Sequence, residues 1–401
     1  MAGTANPETK GAKPAPTPGS DPTYNDRNVF LPVLEALRPG DLILTRNREG
    51  ERAGDRKMSA GIARVTGGSF SHVMICSVPP TMVEAMPEGV GTISLQRCFA
   101  HSLRNVRVLR HPNARVADAA ASLTLPHIGR AYSVTRAGVS PFPARSLGIL
   151  QDRGIFCSAL AALVFRRAGA EDIFTRPPDK TTPSTIERYT GLLDVTDLVF
   201  REALAPKNVE TMSALDGQRR PGPSDRQTSL LLRYGVEIFP KADQLVASFP
   251  QADLERPASF FNVLQLIIDA FAAAERVSDR AGFVTAVENL DEQSAAMLDS
   301  GELAAIGDEM VKLDQEALQQ ELRKSFDPDP DIDVDGLRGL LTTTAAQLAA
   351  RSASIDGFRG NAWPTGPSRA IASWVRIQSG SLQVLEHRAV AAKEILDRLN
   401  A

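Results

Sequence analysis

Two periods of hydrophobic and polar positions run along this chain, one after the other. From about residue 28 to about residue 202, short apolar runs alternate with Pro- and Gly-rich breaks. "GDLILTR" (40–46), "SHVMICS" (71–77), "TMVEAM" (81–86), "GVGTISL" (89–95), "VRVLRH" (106–111) and "LLDVTDLVF" (192–200) read as strands. In "SFSHVMICS" (69–77) the period is two: Phe70, His72 and Met74 point one way, Ser71, Val73 and Ile75 the other. The prolines at 79–80 and "PEG" at 87–89 supply turns. "MSAGIARVTGG" (58–68), "ARVADAAASLTL" (114–125) and "CSALAALVFRRAG" (157–169) read as helices. The last of these carries basic residues in its final turn and Gly169 after it, the usual way for a helix to stop. From about residue 205 the pattern changes. A polar, Pro-rich connection that includes "GQRRPGPSDRQ" (217–227) leads to candidate helices over 257–278, 281–299, 301–325, 337–354 and 366–399.

This pattern predicts an α+β domain with an antiparallel sheet over residues 28–204, a connecting region over 205–256 and a mostly α-helical domain over 257–401. Residues 1–27 are dominated by Pro, Gly, Ala and Thr and read as a disordered tail. They hold no apolar core of the kind a secretory signal needs. The most apolar later run, 260–274, is interrupted by Asn262, Gln265 and Asp269, too soon to span a bilayer. No transmembrane segment is therefore expected. A cytoplasmic protein is, although leaderless export as an effector would leave no trace in the sequence.

A net charge of −3 with mixed signs argues against a nucleic-acid partner, which calls for a basic surplus. The three cysteines, Cys76, Cys98 and Cys157, do not form a disulfide framework and suit a reducing compartment. A thiol becomes nucleophilic when a helix N-terminus or an imidazolium favours its thiolate. Cys157 opens a predicted helix, where unpaired main-chain N–H groups could also hold an oxyanion. His72 on its strand would be the base. Glu84, the one acid of the next strand, comes within reach of His72 across a hairpin if the register is right. Glu88 reads as a solvated turn acid. Tyr132, in "IGRAYS", would line the site or donate to an oxyanion, or serve as a structural tyrosine.

"PGDLILTR", "IARVTGGSFSHVMIC", "MVEAMPEGVGTISL", "GIFCSALAALVFRRAG" and "TTPSTIERY" together resemble the circularly permuted papain-like group of the NlpC/P60 superfamily. The nearest branch is that of the YiiX/YaeF-like amidases, and lecithin-retinol acyltransferase-like enzymes are more distant members. In this group the histidine strand comes first and the cysteine helix last, which is the order here. The resemblance covers roughly residues 38–200. It implies a permuted papain fold, Cys157 as nucleophile, His72 as base and Glu84 as the polar third member. Ser158 and Tyr132 are the candidates for substrate or oxyanion contacts. The chain departs from the group at Ala159, where an acidic residue is frequent.

Two weaker motifs point elsewhere. Cys76, Cys98, His101 and His111 invite a zinc reading, but "CFAH" lacks a second ligand pair. His72 and Cys76 would stand about 13 Å apart along a strand, too far to share a metal. "DIDVDGLRGLLT" (331–342) places Asp331, Asp333, Asp335 and Gly336 as in the first half of an EF-hand loop, with Thr342 where the closing acid belongs. An acidic interhelical loop explains it better. No cofactor or metal is expected.

The expectation is thus a cysteine-dependent hydrolase or acyltransferase that cleaves an amide or ester through a Cys157 acyl-enzyme. Its substrate would be a small peptide-like molecule or a lipid acyl group. The alternative is a catalytically inactive papain-like scaffold whose helical domain binds a protein partner.

Overall fold

A computed structural model describes residues 27–46, 68–133, 153–206, 208–326, 332, 334–359 and 368–400. The chain is α+β, as expected. At its centre is a six-stranded antiparallel sheet in the order β5–β4–β3–β2–β7–β8. The strands are β2 (Leu42–Thr45), β3 (His72–Val78), β4 (Thr81–Met86), β5 (Gly89–Ser94), β7 (Val106–Arg110) and β8 (Leu193–Asp194). Two small pairs flank it. Strands β1 (Asn28–Pro32) and β9 (Phe200–Leu204) run antiparallel, and β6 (Cys98–Phe99) lies parallel to β10 (Ser213–Ala214).

The alternation along the strands sorts the core onto two faces. The first helix, α1, is Ala114–Ser122. Leu42, Leu44, Val73, Ile75, Val83 and Ala85 pack under helix α2 (Cys157–Arg167) together with Leu160, Ala161 and Phe165. Ile43, Met74, Cys76, Met82 and Val108 line the opposite face with Leu95, Cys98 and Val199. Phe70 does not share the Met74 face expected for it. The strand begins only at His72, so Phe70 is free to turn into the α2 side of the core. The run 192–200, expected as one strand, divides into three pieces. The Asp194 carboxylate accepts hydrogen bonds from the Thr196 N–H and hydroxyl at 3.1 and 2.6 Å, which starts a helical turn, Thr196–Val199, between β8 and β9.

The helical half agrees with the predicted elements except at its start. Helices run over Phe260–Ala273, Arg280–Asp299, Glu302–Lys324, Val334–Arg359 and Arg369–Leu399. The expected connecting region 205–256 contains a further helix of 26 residues, Pro223–Ser248. Its breakers concealed it. Pro223 sits in the first turn, where no N–H partner is lost. Gly235 is needed because a Cβ there would stand 2.8 Å from Phe239 Cζ. Pro240 lies on the exposed face. Beneath the breakers, Leu230, Leu231, Tyr234, Ile238, Ala242 and Leu245 keep a helical period and are buried.

This helix lies against edge strand β5. At Gly91 there is no side chain, and an added Cβ would collide with Thr228 Oγ1. A second tie comes from buried Arg153, four residues before the start of α2. Its Nε donates to the Pro257 carbonyl at 2.8 Å, its guanidinium pairs with Asp243, and it stacks 4.4 Å over the Phe239 ring. Segment 58–67 and the acidic positions Asp331 and Asp333 lie outside the described residues. Asp335, which is described, pairs with Arg201 at 3.0 Å from the first turn of Val334–Arg359. No helix among the described residues is long and apolar enough to cross a membrane.

Phe165 anchors α2 to the sheet. It is fully buried and stacks on Phe174 at 4.6 Å. Phe165→Ala is expected to cost about 3–5 kcal/mol in urea unfolding. A loss below about 1 kcal/mol would contradict this packing.

Candidate active site

The site forms where the N-terminus of α2 meets the first residue of β3. Pairing between β3 and β4 sets Met74 opposite Glu84. His72, two residues earlier on the same face, is therefore a diagonal neighbour of Glu84. Their side chains meet, with Nε2 of His72 2.8 Å from Oε2 of Glu84. The remaining ring nitrogen, Nδ1, is left for Cys157, whose thiol acts on the ring. The residues proposed as nucleophile, base and orienting acid are thus brought together in one row.

Local sequence explains each position. Phe156 is the N-cap of α2 and offers no side-chain cap, so the first-turn N–H groups are not taken by one. Cys157 is the first helical residue, and the main-chain N–H groups of Val73 and Ser158 favour its thiolate. Glu84 would be costly in so buried a strand without partners: its side chain is only 4% exposed. It has two, because its second oxygen pairs with the Arg219 guanidinium. Arg219 in turn reaches Oδ1 of Asp225 at 2.8 Å.

The electrostatics follow from this order. Burial disfavours the imidazolium of His72. The hydrogen bonds and charges of Cys157 and Glu84 overcome it and raise the ring to about 10. Burial also opposes the Cys157 thiolate, but the hydrogen bond and charge of His72, with the Val73 and Ser158 N–H groups, hold its pKa below the usual thiol value. Burial pushes the Glu84 carboxyl up, and Arg219 and then His72 bring it below the ordinary range. Along the row these shifts favour, in order, thiolate, imidazolium, carboxylate and guanidinium.

The other candidates have different surroundings. The Ser158 hydroxyl donates to the Thr181 carbonyl at 2.8 Å, and the residue is buried, so this serine faces the site through its main-chain N–H. Tyr132 bridges to Ile155 and packs beside the α2 core. Burial and then the charge of Cys157 raise its pKa. Glu88 is exposed. His101 is bound to Asp216 at 2.9 Å, and His111 stacks on Phe165. Among the described residues no three His, Cys, Asp or Glu side chains are placed to hold a metal ion.

Arg219 is the one residue of the row that sequence reasoning missed. It lies in "GQRRPGPSDRQ", read there as a mere connection. The signal was a buried acid: Glu84 in an apolar strand needs a cation besides a histidine. Compared with family models, curated proteins and solved structures, the chain matches none.

Cys76 and Cys98 are fully buried, and their thiols are pushed up by burial, that of Cys98 to about 12. Iodoacetamide at neutral pH is expected to label Cys157 in the folded protein and to reach Cys76 and Cys98 only after urea unfolding, as read by peptide mass mapping. Equal labelling of all three in the native protein would contradict the burial described.

Proposed function

We propose that this chain is a cysteine-dependent hydrolase or acyltransferase of the permuted papain-like type, acting on an amide or ester through a Cys157 acyl-enzyme. The observation that carries this reading is the row Cys157–His72–Glu84 at the start of a helix, with His72 hydrogen-bonded to Glu84. A buried thiol with no chemistry to perform gains nothing from a lowered pKa, whereas a nucleophile requires it.

In this reading the Cys157 sulfur attacks the carbonyl carbon of the substrate. The carbonyl π electrons move to oxygen, and the oxyanion is held by main-chain N–H groups at the start of α2, that of Cys157 among them. The imidazolium of His72 gives its proton to the departing amine or alcohol as the carbon–leaving-group bond breaks, leaving a thioester. Water or another acceptor then attacks the thioester and returns a proton to His72, and the thiolate departs. Glu84 keeps the ring aligned and stabilises its charged form. The substrate class follows from the same resemblance: a small peptide-like molecule or a lipid acyl group.

The pH dependence has a definite sign. Activity rises as Cys157 loses its proton, at a pH below that of an ordinary thiol, and falls as His72 loses its proton near pH 10. The test is a panel of acyl esters and short peptides, with intact-mass detection of an acyl adduct. An adduct on Cys157 that is absent in Cys157→Ala supports the reading, with turnover slowed about 10²- to 10⁴-fold in His72→Ala. Turnover that survives Cys157→Ala would overturn it.

A further inference from the structure

The α2–sheet unit carries the nucleophile, base and acid, but it does not carry the group that balances them. Thiolate, imidazolium and carboxylate sum to one negative charge, largely withdrawn from water. Arg219 brings the row to neutrality, and it arrives from beyond residue 204, in the segment leading into helix Pro223–Ser248. We propose that Arg219 is a positioning residue for the Cys157 site, set by the Asp225 cap of that helix, so that docking of the helical half completes the nucleophile. This inference rests on the reading of Cys157 as a nucleophile.

Three contacts carry it. Arg219 binds the Glu84 oxygen that His72 leaves free, so that Glu84 bridges the two cations. Asp225 holds the other end of Arg219 at 2.8 Å and also accepts from the Gly222 N–H at 2.7 Å, closing the N-terminal cap of the helix. The same helix then lies on Gly91, the residue paired with Glu84 across β4 and β5, through Thr228. One helix start thus fixes both the strand behind Glu84 and the guanidinium in front of it. Among the described residues, Glu88 and Cys98 also act on Arg219, and the charge of Cys157 acts on Tyr132.

The physical consequence is directional. Removing the guanidinium leaves a net negative buried row, and the thiolate is the member that can relieve it by taking a proton. Lysine keeps the charge but not the two-pronged geometry that spans Glu84 and Asp225.

The experiment is the rate of Cys157 alkylation against pH in the full chain, with Cys76 and Cys98 labelling as the reporter of lost structure. Wild type is expected to show a midpoint below the ordinary thiol value, about 8.5. Arg219→Gln should raise that midpoint by about one pH unit or more, with Arg219→Lys between the two and Asp225→Asn shifted in the same direction. A loss of fold alone would expose Cys76 and Cys98 and would not produce an ordered series. Should Arg219→Gln unfold, the Lys and Asn variants decide. A low wild-type midpoint left unmoved by the folded variants overturns this inference and leaves the nucleophile standing. An ordinary midpoint in wild type overturns the nucleophile itself.

Discussion

A carboxylate withdrawn from water in the middle of a sheet is stable only if charge and hydrogen bonds replace its hydration. Glu84 meets that demand from two sides, with His72 on one oxygen and Arg219 on the other. The remainder of the site follows from this constraint. Because the ring is held by Glu84 through Nε2, its other nitrogen faces the start of α2. Because the ring is held charged, the sulfur it meets there is favoured as a thiolate. Cys157 alone at a helix N-terminus would have a weaker claim, since burial works against its ionised form.

The same constraint explains why the two halves are not separable beads. Two arginines tie the halves together. Arg219 leads into Pro223–Ser248 and neutralises the row, while Arg153, just ahead of α2, is gripped by Asp243 of that helix and by the Pro257 carbonyl. Both ends of the row are therefore braced by contacts with the helices, through side chains that are largely or wholly removed from solvent. The apolar floor beneath them is continuous: Ile128 packs against both the α2 core and the helical core.

Much of this was legible in the sequence, because it rests on period and order. The alternation of "SHVMICS" indicated which residues share the His72 face from Met74 onward, and a hairpin with "TMVEAM" offered the Glu84 contact on condition of a register that the pairing of Met74 with Glu84 supplies. The helix beginning at Cys157 was readable from its apolar period and its basic, glycine-terminated end. What escaped depends on tertiary context. Phe70 changed face because the strand begins two residues later than its alternation suggests. Pro223–Ser248 was hidden by prolines and a glycine that its position in the fold tolerates. Arg219 escaped because a cation's partner, 135 residues away in sequence, leaves no local periodic trace. Only the buried acid, with nothing nearby to neutralise it, signalled that such a cation had to exist.

The central claim is that Cys157 and Glu84 hold His72 as an imidazolium at neutral pH. The most direct measurement is an NMR titration of the His72 ring nitrogens in the full chain and in Cys157→Ser. The account predicts a ring that stays doubly protonated through neutral pH and loses its proton only near pH 10, with a clearly lower value once the sulfur is gone. A ring that is neutral at pH 7 in both proteins and titrates as an ordinary histidine would contradict it.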